Sequence, residues 1–500
     1  MKRAALVAPV RTAVGRFGGA LRDVPAESLA ATVVKETVRR SGIDPSRIDD
    51  VAMGQSYANS EAPCIGRWAA LEAGLPISVA GFQTDRRCGT GLQAIVSAAM
   101  MVQTGAADVV LAGGVESMSG IEHYTTGARW GTRSGGLQLF DRLDRGRERS
   151  QPEWRFGRIS GMIETAENVA TRCGITREES DTFAVDSHRK ATLARESGRF
   201  DAEIVAVELT DRKGNVTQFR ADEGIRPDTS LETLARLRAV TEGGVVTAGN
   251  ASQQNDAAAA MLVVAEDRLD ELGLEPIGFL DSWAAAGCEP ALMGLGPVAA
   301  VSKLFARTGA GFADFDLVEL NEAFACQVLG VVKEWGFEDL DRLNVNGSGI
   351  SLGHPVGATG ARMATTALHE LGRRGGGKAL LTMCIGGGRV WRPWWSLPDE
   401  VRFWVHLRRG IGSSTEQSVD ECRRSRHQWR AERRGCSSRQ GRTRGFGRHQ
   451  LVRSLRASLR HQPSASVALP SSRTGYLRHG FVRGAGDERH SRLTCAAATA

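Results

Sequence analysis

No two cysteines in this 500-residue chain form a CxxC pair; the nine sit at irregular spacings. Zinc coordination and a disulfide framework are therefore poorly supported, and no metal site is expected. The same usage fits a reducing cytoplasm. No stretch approaches the length of a membrane span. The opening run, residues 1–9, is too short for a signal-peptide core with a cleavage site and reads as a first strand. An SKL-type ending is also missing. These absences lead to the expectation of a cytoplasmic protein.

Lysine is missing altogether from residues 389–500, which changes how the charge is read. That stretch holds 23 Arg and 8 acidic residues, a balance of +15. The whole chain comes to +7, so residues 1–388, with 41 basic and 49 acidic groups, carry −8. The body is mildly acidic, and nucleic acid is not an expected partner for it. The length suits about two to four domains with ample core.

Residues 81–97, GFQTDRRCGTGLQAIVS, stand out. A β-prone approach leads to Cys88, then Gly89-Thr90-Gly91, then apolar residues at helical spacing. The thiol is thus expected at a strand-to-helix turn, where unpaired backbone N–H groups favour a thiolate.

Around this turn, strand-like and helix-like segments alternate. Residues 29–41 and 66–73 read as helices and 108–114 as a buried strand. Residues 127–154 are rich in Arg, Asp and Gly with little periodicity, 164–198 are helical, and 224–244 are polar. Residues 245–250 and 257–265 return to sheet texture. In the second half, 315–320, 343–346 and 379–384 read as strands, with helices starting at 322 and 361. The alternation argues an α/β fold. The two halves rhyme, each with a glycine-rich turn, a helix and a strand, which suggests an internal duplication. The expected domains are an N-terminal half of 1–118 and 245–269, an inserted loop domain of 119–244, and a C-terminal half of 270–388.

Four further stretches carry chemistry: GNAS from Gly249, NEAFA from Asn321, GHPVGATG from Gly353 and CIGGG from Cys384. Singly, each has a bland reading: a core histidine, a helix cap, a buried strand cysteine, tight turns. Together they put two thiols, an imidazole and an amide at strand ends and helix starts, where ligands gather in α/β sheets.

At this point the sequence resembles the thiolases, the acetyl-CoA C-acyltransferases. The motifs DRRCGTGLQA, MIETAENVA, DEGIRPDT, VTAGNAS, NEAFA, NVNG, GHPVGATGAR and CIGGG follow in that family's order through residue 388. The resemblance implies two duplicated halves, each with a mixed five-stranded sheet, packed as an αβαβα sandwich. It implies Cys88 as acyl-accepting nucleophile, His354 as its base, and Cys384 as the group exchanging a proton with the acetyl α-carbon. Asn321 would hold a water that, with His354, forms one oxyanion hole. The backbone N–H groups of Cys88 and Gly386 would form the second. Coenzyme A contacts carry over to Arg226, Ser252, Met162 and Phe324. The family works on CoA thioesters without a cofactor, as a homodimer or homotetramer.

The implied reaction is thiolytic cleavage of 3-oxoacyl-CoA by CoA, through an acyl-cysteine. The alternatives are condensation to acetoacetyl-CoA as the main direction, or a thiolase-like protein inactivated by its C-terminus. A decarboxylating condensing enzyme tends to carry His in place of the second Cys, so Cys384 argues against one. Gly161, Ile163, Thr90 and Gln253-Gln254 depart from common family patterns around the acyl end. They argue against acetoacetyl-CoA specificity, and a broader or bulkier 3-oxoacyl-CoA is at least as much the expected substrate.

Residues 389–500 have Arg in excess, a single Ile and no sustained hydrophobic period. A basic nucleic-acid or membrane arm is the functional reading. The favoured alternative is a reading frame that changes just after Gly388. Read two bases later, the Arg- and Trp-rich start of the tail yields Gly-Val-Ala-Ala-Val-Val-Glu, an apolar strand of the kind the family carries there. The tail is then expected to be disordered and without function.

Overall fold

A computed structural model describes residues 2–387. The expectations for Gly388 and for the tail, 389–500, lie outside the described residues.

Strand β1 (Ala4–Thr12) is followed by helix α1 (Ala26–Ser41), β2 (Asp50–Gly54), α2 (Ile65–Glu72), β3 (Phe82–Thr84), α3 (Thr90–Thr104) and β4 (Val109–Ser117). Then come α4 (Arg142–Glu148), α5 (Met162–Cys173), α6 (Arg177–Glu196), β5 (Asn255–Ala265) and β6 (Gly278–Leu280). The chain continues through α7 (Gly296–Thr308), β7 (Leu317–Leu320), α8 (Ala325–Trp335), α9 (Thr359–Arg373) and β8 (Ala379–Thr382).

The large sheet runs β6-β1-β5-β4-β2-β3, with short strands Gly15–Arg16 and Ile204–Val205 paired to β5 and β1. β2 is parallel to β3 and β4; β1 is antiparallel to β5 and β6 but parallel to Ile204–Val205, and β5 is antiparallel to its neighbours. β5 is buried on both faces along its whole length. Its residues alternate in the way a pleated strand must. Ala258, Ala260, Leu262 and Val264 pack toward α1 and α2, whereas Ala259, Met261 and Val263 pack toward α3 and α9. That second cluster also takes in Leu317 of β7 and Ala379 of β8. Helices α3 and α9 are therefore sandwiched between two sheets. Beyond the second sheet, Val301 and Leu304 of α7 and Val328 and Val331 of α8 close the last layer. The result is the αβαβα order.

Among the described residues the second sheet is smaller than the first. β7 and β8 pair in parallel, and Leu343 adds one bridge to Val318. Residues 343–346 are thus not a strand. Asn344 turns the chain at φ 46°. Its amide accepts from Leu320 N at 2.9 Å and donates to Leu320 O at 2.8 Å, taking the place of a backbone partner. Residues 245–250 are likewise a turn, because side chains satisfy the backbone. Glu167 accepts from Val245 N and Val246 N, and Asn250 accepts from Thr247 N. The helical stretch 164–198 divides in two: Gly174 ends α5 at φ 64°, and a Thr176–Glu179 capping box starts α6. Among the described residues no helix is long and apolar enough to cross a membrane.

Candidate active site

The site forms where α3 and α9 meet at their N-termini. Glycines make the approach possible. A Cβ on Gly91 would lie 2.6 Å from Ala361 N, and one on Gly360 only 2.4 Å from Leu92 N. Any side chain there would hold the helices apart.

Cys88 occupies a single 3-10 turn, Arg87–Gly89, between β3 and α3. The turn is tightly braced. Asp85 accepts from Arg87 N at 2.7 Å, and Thr90 Oγ1 accepts from Arg86 N at 2.7 Å. Ser56 Oγ donates to Arg87 O at 2.9 Å. This bracing holds Arg87 at φ 48°, in the left-handed region that non-glycine residues avoid. Burial pushes the Cys88 thiol above its ordinary range, opposed by N–H bonds from Gly386 and from Cys88 itself and by the charges of Arg87 and Arg147.

His354 enters from the loop before α9. Its backbone N–H donates to Asn255 Oδ1 at 2.8 Å. Its Nδ1 lies 2.7 Å from Thr359 Oγ1, whose own hydroxyl donates to Pro355 O at 2.8 Å. With that proton committed, Thr359 must accept, so Nδ1 carries the hydrogen. Nε2 is then the basic nitrogen, and it is buried with no partner among the described residues. Burial, helped by the charges of Arg362 and Arg147, pulls the imidazole pKa down to about 3. The ring is neutral at any working pH.

Glu116, on β4, ties the Cys88 and His354 loops together. Its carboxylate accepts from Ser56 N at 3.0 Å, Tyr57 N at 3.3 Å and Gly357 N at 2.9 Å. The first two belong to the segment bracing the Cys88 turn, the third to the His354 loop. Burial raises this carboxyl to about 7, and the three N–H bonds work against the rise.

Cys384 follows β8 and is fully buried. Burial first, then the neighbouring Cys88 and Cys288 thiols, hold it protonated. Asn321 follows β7, is also fully buried, and leaves Oδ1 without a partner among the described residues. Its Nδ2 is 3.5 Å from His354 Nδ1. Both nitrogens carry hydrogens in this tautomer, so this is a packing contact. Gly386 sits in the turn after Cys384.

Cys88, His354, Cys384, Asn321 and Gly386 therefore converge. Met162 and Phe324 join them: both pack in the apolar cluster that contains Cys384, and Met162 Sδ would be 3.3 Å from a Cβ on Gly386. Ser252 lies alongside, its N–H donating to Ala323 O at 2.9 Å. Arg226 is not tied to this group. It is exposed on a loop, its backbone N–H bonded to His188 Nδ1 at 3.2 Å. Sequence reasoning missed Thr359, Glu116, Arg147 and Cys288. A signal existed for two of them. Thr359 lies inside the GHPVGATG motif, and Glu116 is an acid within an apolar strand.

Two thiols, one with a neutral imidazole and amide donors at hand, are groups that acyl transfer through a cysteine calls for. Residues 4–267 match the thiolase N-terminal domain and residues 274–391 the thiolase C-terminal domain. The chain belongs to the thiolase family and is an acyltransferase. It is 45% identical over 386 residues to an acetyl-CoA acetyltransferase of Chromobacterium violaceum, covering 77% of this chain and 97% of that protein. It is 42% identical over 392 residues to a probable acetyl-CoA acyltransferase of Staphylococcus aureus strain COL, covering 78% and 98%. Among solved structures it resembles the Bacillus anthracis acetyl-CoA acetyltransferase, with TM-score 0.74 and 41% identity over 78% of this chain and 97% of that one. Human mitochondrial 3-ketoacyl-CoA thiolase in complex with CoA gives TM-score 0.72 and 36% identity, covering 77% and 96%.

Proposed function

We propose that this thiolase cleaves 3-oxoacyl-CoA with CoA, giving acetyl-CoA and a shortened acyl-CoA. The observation that carries this reading is the fixed His354 tautomer. Nδ1–H is held on Thr359, leaving a buried Nε2 with no partner among the described residues as the base for Cys88.

In the first half-reaction the Cys88 proton passes to His354 Nε2 as sulfur attacks the 3-oxo carbon. Asn321, through a bound water, and the Cys88 and Gly386 N–H groups stabilise the oxyanions that develop. The C2–C3 bond breaks, and the departing carbanion takes a proton from Cys384, leaving as acetyl-CoA. A thiol held protonated by burial suits that donor role. In the second half-reaction CoA loses its proton to the Cys384 thiolate and attacks the acyl-cysteine. Cys88 leaves and recovers its proton from His354. The CoA thioester itself activates the α-carbon, so the scheme needs no added cofactor or metal. CoA is taken to run along Met162, Phe324 and Ser252, which pack beside Cys384; that the substrate carries CoA is supported by the human relative solved in complex with CoA. Arg226 is kept as an outer contact to the adenine end. A homodimer or homotetramer in the cytoplasm completes the proposal.

Thiolysis tests it: purified protein with 3-oxoacyl-CoA and CoA should consume the 3-oxo thioester and release acetyl-CoA. Absence of both changes overturns the reading.

A further inference from the structure

The Asn321 amide makes no hydrogen bond that would hold its plane. Oδ1 is buried with no partner among the described residues, and Nδ2 meets only the protonated His354 Nδ1 at 3.5 Å. Its orientation must therefore come from the walls around it. One wall is the turn at residues 347–350. A Cβ on Gly349 would lie 2.9 Å from Asn321 Oδ1 and 2.6 Å from Glu322 O. Backbone thus packs directly on the amide, and glycine is what lets it come so close.

The neighbouring Glu322 holds that wall in place. Its side chain is buried, and its carboxylate takes three bonds. Oε1 accepts from Asn344 Nδ2 at 2.9 Å. Oε2 accepts from Ser187 Oγ of α6 at 2.6 Å and from Ile350 N at 3.2 Å. The donors cannot trade roles. Leu320 N can only donate, which puts Asn344 Oδ1 on it and turns Asn344 Nδ2 toward Glu322. Ile350 N is likewise a donor only. Gln253 Nε2 donates to Ile350 O at 3.1 Å, so Ile350 is held through both of its backbone groups. One carboxylate therefore joins α6, the end of β7 and the turn that leads to His354. Burial raises this carboxyl, and its three donors work against the rise.

We propose that Glu322 is a positioning residue of the reaction. By pinning Ser187, Asn344 and Ile350 it fixes the wall behind Asn321, and with it the place of the water that Asn321 holds. This rests on the reading of Asn321 as the holder of that water. Glu322→Gln keeps the size of the side chain. Whichever way the new amide turns, its nitrogen faces the Nδ2 of Asn344 or the N–H of Ile350, and two donors repel.

Thiolysis by wild type, Glu322→Gln, Asn321→Ala and the double variant tests this. Glu322→Gln should lower kcat by about 10- to 100-fold, the range for a reacting group displaced by a fraction of an ångström to one ångström. KM for both substrates should stay within about twofold of wild type. In the Asn321→Ala background the same substitution should cost less than about twofold, because the group it acts through is gone. Rates in that background are read with enzyme in excess over substrate, so that slow turnover stays measurable. Ser187→Ala removes one donor without opposing another. It should repeat the pattern with a smaller fall in kcat, and it decides the matter if circular dichroism shows Glu322→Gln unfolded. Wild-type kcat in Glu322→Gln overturns the proposal while leaving the reading of Asn321 intact. So does an equal fall in both backgrounds, or a rise in KM alone, the marks of a general structural role. Wild-type kcat in Asn321→Ala defeats the reading of Asn321 itself, and this proposal with it.

Discussion

His354 Nδ1 and Thr359 Oγ1 are 2.7 Å apart, and the threonine proton is already committed to Pro355 O. One hydroxyl thus decides which imidazole nitrogen is basic. Thr359→Val removes the acceptor and frees the ring to change tautomer. The expected loss in kcat is about 100-fold, within the usual worth of a positioned base. Thr359→Ser should recover most of it. Wild-type kcat in the valine variant would show that the hydroxyl does not set the tautomer.

The two partners rest as a neutral pair. Burial holds His354 at about 3 and pushes the Cys88 thiol upward. Alkylation of Cys88 by iodoacetamide should therefore keep rising with pH beyond neutrality. A plateau below about pH 7, the mark of a thiolate–imidazolium pair, would contradict this. Stability follows from the same burial. The unfolded chain binds a proton on this histidine near pH ~6.5, the folded one only near 3. Its contribution is complete above the unfolded value and is lost as pH falls toward 3. The unfolding midpoint should drop more steeply between about pH 7 and 5 in the wild type than in His354→Gln.

Division of labour between the thiols is separable. Cys88→Ser should abolish acyl transfer with the fold retained, since a hydroxyl is not ionised at neutral pH. Cys384→Ala should still acylate Cys88 from acyl-CoA but lose deuterium exchange at the acetyl α-carbon. Wild-type exchange in that variant would reduce Cys384 to a buried residue after β8.

Glu116 is expected to link structure to rate. Glu116→Gln turns one acceptor oxygen into a donor that faces backbone N–H groups. The cost should be about 1–3 kcal/mol in denaturant unfolding, the size of a lost buried acceptor. A fall in kcat should accompany it, because the Cys88 and His354 loops share this clamp. Unchanged stability would mean the clamp is not formed.

Much of the fold is a local matter. The buried run of β4, the amphipathic α1 and the glycine turns before α3 and α9 follow from short-range pattern, and each forms where residue spacing indicates. Motif order identified Cys88, His354, Cys384 and Asn321 as a set. What residue order does not contain is the distance between segments 266 positions apart in sequence, Cys88 and His354. That depends on how closely α3 and α9 can pack, and Gly91 and Gly360 show their purpose only once the helices face each other. The ends of some elements were also decided in three dimensions. Asn344 and Glu167 satisfy backbone groups with side chains, so residues 343–346 and 245–250 do not become strands despite their composition. Glu116 and Arg147 belong to the same category. Hydrogen bonding and charge act through space, and neither residue stands near Cys88 or His354 until the chain has folded.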